Sequence, residues 1–340
     1  MSTHFGLDIG TTSIKVVSLK KEGDTISLDA VALSPLMSNG LLSESPIDQQ
    51  VVADSIKNIL SQAGIKEKEV NLAIPESSVY TKILQMPQLS DQELAAALRW
   101  EMEQYIPMPI DQVRTDWQVL QKSAGESKTM DVLLVAAPLS TIKKYEAVLT
   151  FAGLTPASVE TEILSVHRAL QPLVKTMPSI IVHLGASSTD VAIVKDGMLN
   201  IVFSIGIGGL AITRAIALDL GIDTKQAEDY KKAYGLTKDA FQGKVGKSLY
   251  PIVESIVGDI KKVMLSYRQK NNNEEIQQVV LSGGNALLPG LDVFLTNTLN
   301  TQVVVGNCWT VNNIQNVPEQ VQSDFSRFTV VVGLALRDIV

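Results

Sequence analysis

Cysteine is nearly absent from this sequence, with Cys308 the only one among 340 residues. A single cysteine cannot close an internal disulfide, which excludes a disulfide-stabilised secreted domain and favours a cytosolic protein. No histidine lies near it in the sequence to activate the thiol. We therefore predict that Cys308 packs as a small apolar side chain rather than acting as a nucleophile.

Positive charge is also scarce. Lys and Arg total 29 against 36 Asp and Glu, which gives a net charge of −7, and no basic patch appears in the sequence. This balance argues against a nucleic-acid-binding protein. The three histidines, His4, His167 and His183, are too far apart to have metal-ligand spacing.

Long apolar runs are missing as well. No run approaches the roughly 18 residues needed to cross a bilayer. The start, Met1-Ser2-Thr3-His4, leads directly into a predicted strand without a signal peptide. We therefore expect a cytoplasmic chain that reaches a membrane only through partners.

The sequence does contain an architectural repeat. At 340 residues the chain is too long for one core and is typical of two or three lobes. A glycine turn separates two apolar runs twice, at 5–17 and at 180–194, and a region of mixed strands and helices follows each unit. The repeat predicts two α/β lobes that face each other across a cleft.

The first glycine turn carries polar groups suitable for a phosphate. Gly10 leaves room for a close approach to the backbone, and Thr11 and Thr12 add hydroxyl and N–H donors. Asp8 could hold a hydrated Mg²⁺. Taken alone, this segment is explained better by an ordinary hairpin. A phosphate-binding role is predicted only together with the glycine segments downstream.

Between the two units the composition predicts a small inserted subdomain. Ser90-Asp91-Gln92-Glu93 is a capping box that begins a helix through Glu103. Strands at 114–121 and 132–136 and a helix at 139–152 follow. Further along the chain, a polar helical block is predicted at 224–270, with breaks near Gly243 and Gly246, and an apolar helix at 330–336.

Three glycine segments, in this order, resemble the superfamily of actin, Hsp70 and sugar kinases. The range 7–12 resembles its first phosphate loop, 182–190 its second, and 280–290 its adenosine segment. The segment Arg99–Ile110 resembles the signature of the PilM family of type IV pilus assembly proteins, relatives of the cell-division protein FtsA. The resemblance covers nearly the whole chain. It implies an α/β, two-lobed actin-like (ribonuclease H-like) ATPase fold with a small inserted α+β subdomain.

The resemblance also implies the division of the chain. A first lobe takes 1–85 and 157–178, and the inserted subdomain takes 86–156. A second lobe takes 179–207 and 277–340, and a helical subdomain takes 208–276.

A nucleotide site between the lobes is implied in the same way, with ATP and Mg²⁺ as ligands. Asp8 is the expected contact to Mg²⁺, through water. The positions that match the nucleotide-binding residues of the superfamily are Asp8, Gly10, Thr11, Thr12, Lys15, Gly185, Ala186, Ser187, Ser188, Asp190, Glu228, Lys231, Gly283, Gly284 and Asn285. For Glu228 and Lys231, a solvated ion pair on one helix is the competing explanation.

One departure from the superfamily bears on catalysis. The second phosphate loop usually begins with Asp, which helps to organise Mg²⁺ and the attacking water, whereas this chain has His183 there. A neutral imidazole cannot replace a carboxylate as a ligand for a hard cation. Glu160 and Glu162 lie near the position of a water-positioning acid, and Glu162 is the candidate catalytic residue. Either could equally be a surface or helix-start residue. We expect ATP binding with slow or absent hydrolysis.

The partners implied by the resemblance are proteins. PilM-like proteins bind the cytoplasmic N-terminal tail of the membrane protein PilN in a groove between the first lobe and the small subdomain, and they connect to the assembly or retraction motor. The candidate groove residues are Trp100, Tyr105, Ile106, Met108 and Pro109. Packing in the subdomain core is the simpler explanation for each, and we favour it for Trp100 and Ile106. A homo-oligomer is also possible under this resemblance.

Two other functions fit the same fold. An FtsA-like filament protein would carry an amphipathic membrane helix after its last lobe, and this sequence ends soon after the helix at 330–336. A small-molecule kinase would need a catalytic carboxylate and extra substrate subdomains, which the sequence does not show. Both remain as alternatives to the adaptor.

Overall fold

In the part of the chain that the structure describes, the strands form two five-stranded sheets and one three-stranded sheet. The computed structural model describes residues 4–36, 41, 43, 45–122, 128–237 and 243–339. The first sheet contains β1 Phe5–Ile9, β2 Ser13–Glu22, β3 Thr25–Pro35, β4 Glu69–Ile74 and β8 Thr155–Thr161. The third sheet contains β5 Tyr80–Pro87, β6 Val113–Lys122 and β7 Thr129–Pro138. The second sheet contains β9 Ser179–Leu184, β10 Thr189–Lys195, β11 Met198–Ile205, β12 Gln278–Ser282 and β13 Gln302–Val305.

The first and second sheets have the same topology, which confirms the repeat. Their orders are β3-β2-β1-β4-β8 and β11-β10-β9-β12-β13. In each, the first strand pairs antiparallel with the second and parallel with a later strand that arrives after a helix-containing crossover. The two-lobed architecture is therefore built from one unit used twice.

Helices cover the faces of these sheets. Their bounds are α1 Pro46–Ala63, α2 Asp91–Tyr105, α3 Leu139–Ala152, α4 Glu162–Val174, α5 Gly209–Leu220, α6 Thr224–Tyr234, α7 Lys244–Lys270, α8 Leu291–Leu299, α9 Cys308–Val311, α10 Glu319–Ser323 and α11 Thr329–Leu336. Gly243 precedes α7, as the predicted break requires, whereas Gly246 lies inside that helix. No helix in the described ranges has the length and apolar character to cross a membrane.

Local sequence explains how the inserted subdomain begins. The Glu93 carboxylate accepts hydrogen bonds from the backbone N–H and the hydroxyl of Ser90, so the predicted capping box forms and starts α2. Leu94, Leu98 and Met102 then face the three-stranded sheet and form its core. This sheet starts with β5 at Tyr80 rather than at 86, because β5 pairs along its whole length with β7.

Two helices join regions that are distant in sequence. Tyr145, Val148 and Leu149 of α3 belong to the same apolar cluster as α1, so this helix packs on the first lobe although it lies within the range 86–156. The uniformly apolar α11 is buried between β1 and α4, although it lies within the range 277–340. Cys308 is buried in the adjoining cluster, as predicted, and burial raises its pKa to about 12.

Candidate functional site

The two predicted phosphate turns lie opposite each other across the cleft. The Gly10 N–H donates to the Ser13 carbonyl at 3.0 Å, and the Gly185 N–H donates to the Ser188 carbonyl at 2.9 Å, so the two turns close in the same way. The hydroxyls of Thr11 and Ser187 are 3.1 Å apart. The structure thus brings together two segments that are far apart in sequence, at the place where a ligand between the lobes would lie.

A buried ion pair lies directly beneath the first turn. Asp8 and Lys15 are cross-strand partners on β1 and β2. The Lys15 ammonium donates to Asp8 Oδ2 at 2.7 Å, and both side chains are almost completely buried. Lys15 therefore balances the Asp8 charge at the base of the turn.

The third glycine segment packs against the second turn. The Asn285 side-chain amide donates to the carbonyls of Gly185 at 2.8 Å and Leu184 at 3.3 Å. Gly283 has φ of +89°, and a Cβ there would lie 2.5 Å from the Leu184 carbonyl oxygen, so only glycine fits. The predicted adenosine segment and the second phosphate turn are consequently one rigid unit.

Arg327 is a neighbour of this segment that sequence reasoning missed. A Cβ at Gly284 would lie 3.6 Å from Arg327 Cγ, and the Gly283 N–H donates to the Ser326 carbonyl. The residue comes from the turn before α11, and no spacing in the sequence links it to residues 283–285. Its half-exposed guanidinium pairs with Asp324 at 2.7 Å.

Glu228 and Lys231 connect two helices. The Lys231 ammonium lies 2.7 Å from Glu228 Oε2 and donates to Thr213 Oγ1 at 3.0 Å and to the Gly209 carbonyl at 3.2 Å. Lys231 is buried, so a solvated ion pair is the wrong description of this contact. Burial lowers the pKa of Lys231, and the Glu228 carboxylate only partly offsets that effect. The pair fastens α6 to the start of α5, next to the second turn.

Four carboxylates and one ammonium group lie close together at the cleft floor. They belong to Asp8, Glu76, Glu162 and Asp190, and to Lys15. Burial raises the pKa of Glu162 well above its usual value, and the charges of Asp8, Asp190 and Glu76 raise it further, while Lys15 opposes them. Burial also raises the pKa of Asp190 to about 6, although Ser204 and Ser188 donate to its carboxylate at 2.5 and 3.4 Å. The site therefore has more acidic groups than the described basic groups around it can neutralise.

Glu160 and Glu162 have different environments. Arg168 donates twice to the Glu160 carboxylate, at 2.6 and 2.8 Å, Ser165 donates at 2.6 Å, and Arg337 makes a further short contact. The Glu160 carboxylate thus belongs to an ion-pair network that joins β8, α4 and the end of α11. Glu162, the first residue of α4, faces the carboxylates of the cleft.

His183 is neutral at the position where the superfamily has an acid. It is the cross-strand partner of Asp190, and its Nδ1 lies 3.2 Å from the Ser282 hydroxyl. Burial lowers its pKa to about 4. Within the described residues no three His, Cys, Asp or Glu side chains are arranged to hold a metal ion.

A cavity of about 440 Å³ lies between the first lobe and the inserted subdomain. Strand β6 forms one wall and strand β8 the other, and each is the last strand of its sheet. The half-exposed apolar side chains of Trp117 and Val159 line it, one from each wall. We call this cavity the edge-strand groove.

The five groove residues predicted from sequence lie outside the lining of the edge-strand groove. Ile106 is buried in the subdomain core, as expected, but Trp100 is 62% exposed, so its predicted core packing is wrong. The Lys82 ammonium lies 2.7 Å from the centre of the Tyr105 ring. Met108 is partly buried against the subdomain core, and Pro109 is exposed.

A family model and several curated relatives match this chain. A family model described as type IV pilus assembly protein PilM matches residues 6–339. The cell division protein FtsA of Streptococcus pneumoniae is 25% identical over 336 residues, which span 84% of this chain and 71% of FtsA. FtsA of Enterococcus faecalis is 23% identical over 337 residues, which span 85% of this chain and 74% of its own.

Solved structures show the same fold. A chain of the PilM–PilN type IV pilus biogenesis complex superposes with a TM-score of 0.86 at 25% identity, covering 99% of both chains. The ethanolamine utilization protein EutJ of Carboxydothermus hydrogenoformans gives 0.59 at 16% identity, over 99% of this chain and 90% of EutJ. MreB5 of Spiroplasma citri bound to AMPPNP gives 0.55 at 14% identity, over 99% and 96%. The last two matches establish the actin-like fold and nothing further.

Proposed function

The chain belongs to the PilM family of type IV pilus assembly proteins, and from this premise we propose that it is a nucleotide-binding adaptor that holds the N-terminal tail of PilN in the edge-strand groove. In this proposal the adaptor lies on the cytoplasmic side of the inner membrane, reaches that membrane through PilN, and links it to the assembly or retraction motor. The observation that carries the proposal is the groove itself, together with the similarity to a chain of a PilM–PilN complex.

The walls of the groove suit an extended peptide. Sheet-edge strands present backbone N–H and C=O groups that a further strand can pair with, and side-chain pockets beside them supply specificity. Here β6 and β8 present two such edges to one cavity. Trp117 and Val159 offer apolar contacts, while Arg114, Glu146 and Arg337 place both signs of charge around them.

The cleft residues fit a nucleotide and its Mg²⁺. The two opposed turns supply hydroxyls and main-chain groups from both lobes, and the Gly283 turn leaves a flat backbone surface beside Arg327. Thr11, Thr12, Ala186, Ser187 and Ser188 would hold the phosphates, Gly284 and Asn285 would lie beside the nucleoside, and Asp8 would orient hydrated Mg²⁺. When bound, Mg²⁺ would neutralise phosphate charge at the cleft floor.

The same residues support binding more strongly than hydrolysis. His183 brings no negative charge to the second turn, and Glu160 is fully engaged by two arginines. Glu162 is the carboxylate left to position a water, but its raised pKa disfavours the charged form that a general base requires. We infer weak or absent ATPase activity.

Two exposed tryptophans of the inserted subdomain test the position of the groove. Trp117 lines the groove and is 40% exposed, whereas Trp100 lies outside its lining. We expect Trp117→Ala to weaken binding of a fluorescently labelled PilN-tail peptide by about tenfold or more, because buried aromatic anchors commonly contribute 2 kcal/mol or more. Fluorescence anisotropy with the full chain gives the affinity.

Trp100→Ala is the matched control and should bind the peptide like the wild type. The reverse pattern would move the peptide site to the segment 100–109. If the wild-type chain bound no PilN-tail peptide at micromolar concentration, the adaptor proposal would fail.

A further inference from the structure

Three buried oxygen atoms lie together: Glu76 Oε2, Thr81 Oγ1 and Thr161 Oγ1. None has a hydrogen-bond partner of ordinary distance and angle among the residues that the structure describes. The two hydroxyls do approach the Glu76 carboxylate closely enough to act as donors that lower its pKa, against the larger effect of burial. We call these three residues the Glu76 cage. Buried polar atoms are nearly always well paired, so three poorly paired oxygens at one place point to a bound ligand.

The Glu76 cage lies where three sheets meet. Glu76 is in the turn after β4, Thr81 is the second residue of β5, and Thr161 ends β8. Strand β11 of the second sheet packs against both the Glu76 turn and β5. Thr161 also lines the edge-strand groove, while the charge of Asp190 in the nucleotide cleft acts on Glu76.

The chemistry of the cage selects a cation. All three atoms are oxygens, and Glu76 and Thr161 are more than nine-tenths buried. A buried ionised carboxylate without a partner is costly, and a cation is the ligand that removes this cost. Burial, with the nearby charge of Asp190, raises the pKa of Glu76 to about 7, which reflects the same lack of a compensating positive charge.

The number of carboxylates in the cage also indicates the charge of that cation. Divalent ions in proteins are usually held by several carboxylates, and no group of three acidic, His or Cys side chains with suitable geometry occurs in the described ranges. One carboxylate and two hydroxyls match a single positive charge. We propose that the Glu76 cage binds a monovalent alkali cation, Na⁺ or K⁺.

A cation in the cage would affect both the edge-strand groove and the carboxylates of the cleft. It would join the ends of β8 and of the turn after β4, and it would reduce the repulsion among Glu76, Asp190 and Glu162. The site does not depend on the adaptor function, because it is a property of the chain without peptide or nucleotide. A test on the ligand-free chain therefore separates this proposal from the one above.

Thermal unfolding of the full chain in different salts tests the site. At pH 8 and constant ionic strength, replacing choline chloride by NaCl or KCl should raise the Tm of the wild type by about 2 °C or more, with saturation. Glu76→Gln, which keeps the shape and removes the charge, should abolish this dependence. Thr161→Val, which removes one oxygen ligand, should shift the midpoint to at least about threefold higher salt.

Glu103→Gln, on the exposed face of α2, is the matched control and should behave like the wild type. Direct binding is measured by ²⁰⁵Tl NMR with Tl⁺ as a substitute for K⁺, where the wild type should show a displaced signal that Glu76→Gln lacks. Equal Tm values of the wild type in choline, Na⁺ and K⁺, or a Tl⁺ signal that persists in Glu76→Gln, would overturn the proposal.

Discussion

At the scale of single residues, His183 brings no charge to the cleft. The imidazole of His183 is buried beside Asp190 and Ser282, and its pKa of about 4 leaves it neutral at physiological pH. An acid there would face the Asp8–Lys15 pair and add a ligand for hydrated Mg²⁺. Under the proposed function, the residue at position 183 therefore bears on hydrolysis more than on nucleotide binding.

We expect His183→Asp to raise the single-turnover rate of Mg·ATP hydrolysis by about tenfold or more, equivalent to about 1.4 kcal/mol in the barrier. The physical reason is the added negative charge next to the metal. His183→Asn has nearly the same shape as His183→Asp without the charge, and it should remain as slow as the wild type. Equal rates for the two variants would show that another missing group, such as a free Glu160, limits hydrolysis.

Glu76 makes a pH-dependent contribution to stability. Its pKa rises from 4.5 in the unfolded chain to about 7 in the folded chain, so the folded state binds more protons across this interval and stability falls as pH rises through it. His183 has the opposite sign, because its lowered pKa makes stability fall as pH drops below 6.5. The two effects must therefore be separated by mutation.

Urea denaturation of the wild type and Glu76→Gln, with choline as the monovalent cation, separates them. The variant should gain stability relative to the wild type between pH 5 and pH 8, by about 3 kcal/mol at most. His183 is present in both chains and cancels in the difference. A constant difference over this pH range would show that Glu76 does not titrate on its own.

Single residues of the site also differ in how far the sequence predicts their environment. The residues of the two glycine turns were predictable, because a turn between two apolar strands is a local feature. Glu76 follows Pro75 in a turn and is buried, and this turn packs against the neighbouring β5 and against β11, which is distant in sequence. Glu160 is likewise engaged by Arg337 from the end of the chain. Long-range contacts of this kind leave no periodic pattern in a single sequence.

At the scale of elements, the contact between α5 and α6 fixes the second phosphate turn. Lys231 of α6 bonds the Gly209 carbonyl at the start of α5, and the Gly209 N–H donates to the Gly185 carbonyl. We expect Lys231→Met to destabilise the chain by about 2–4 kcal/mol, since it leaves the half-buried Glu228 without its buried cationic partner. Chemical denaturation measures this loss.

Lys232→Met is the matched control on the same helix. Lys232 also contacts Glu228, at 3.3 Å, but its side chain is 66% exposed. Exposed ion pairs contribute little, so this variant should change stability by less than about 0.5 kcal/mol. Equal losses for the two variants would mean that burial of Lys231 does not set the strength of the contact.

Element-level prediction succeeded where a local signal was strong. The capping box, the repeat of the glycine-turn unit and the apolar C-terminal helix were all readable from short stretches of sequence. The packing partners of α3 and α11 were not, because an apolar helix face does not specify which sheet covers it. Trp117 and Trp100 illustrate the same limit, since both are aromatic residues of one subdomain and only one of them lines the edge-strand groove.

At the scale of the whole molecule, the proposed nucleotide cleft and the edge-strand groove share one wall. Strand β8 lines the groove and continues directly into α4, whose first residue, Glu162, faces the cleft. Tyr145 of α3 also lines the groove. Its pKa is raised first by burial and then by the charges of Glu162 and Asp8, so its hydroxyl senses both carboxylates of the cleft. Strand β8 and Tyr145 thus line the groove and also lie near the carboxylates of the cleft.

This shared wall predicts reciprocal coupling between peptide and nucleotide. Calorimetry of Mg·ATP with and without saturating PilN-tail peptide should show tighter nucleotide binding in its presence by about fivefold or more, the lower end of common coupling energies. The reverse titration must give the same factor, because coupling free energy is symmetric. Tyr145→Phe, which keeps the ring in the groove and removes the hydroxyl whose pKa responds to the charge of Glu162, should reduce the factor, with the peptide affinity of the same variant without nucleotide as the reference. Equal affinities in both titrations would show that the wall is rigid and that the nucleotide has a structural role alone.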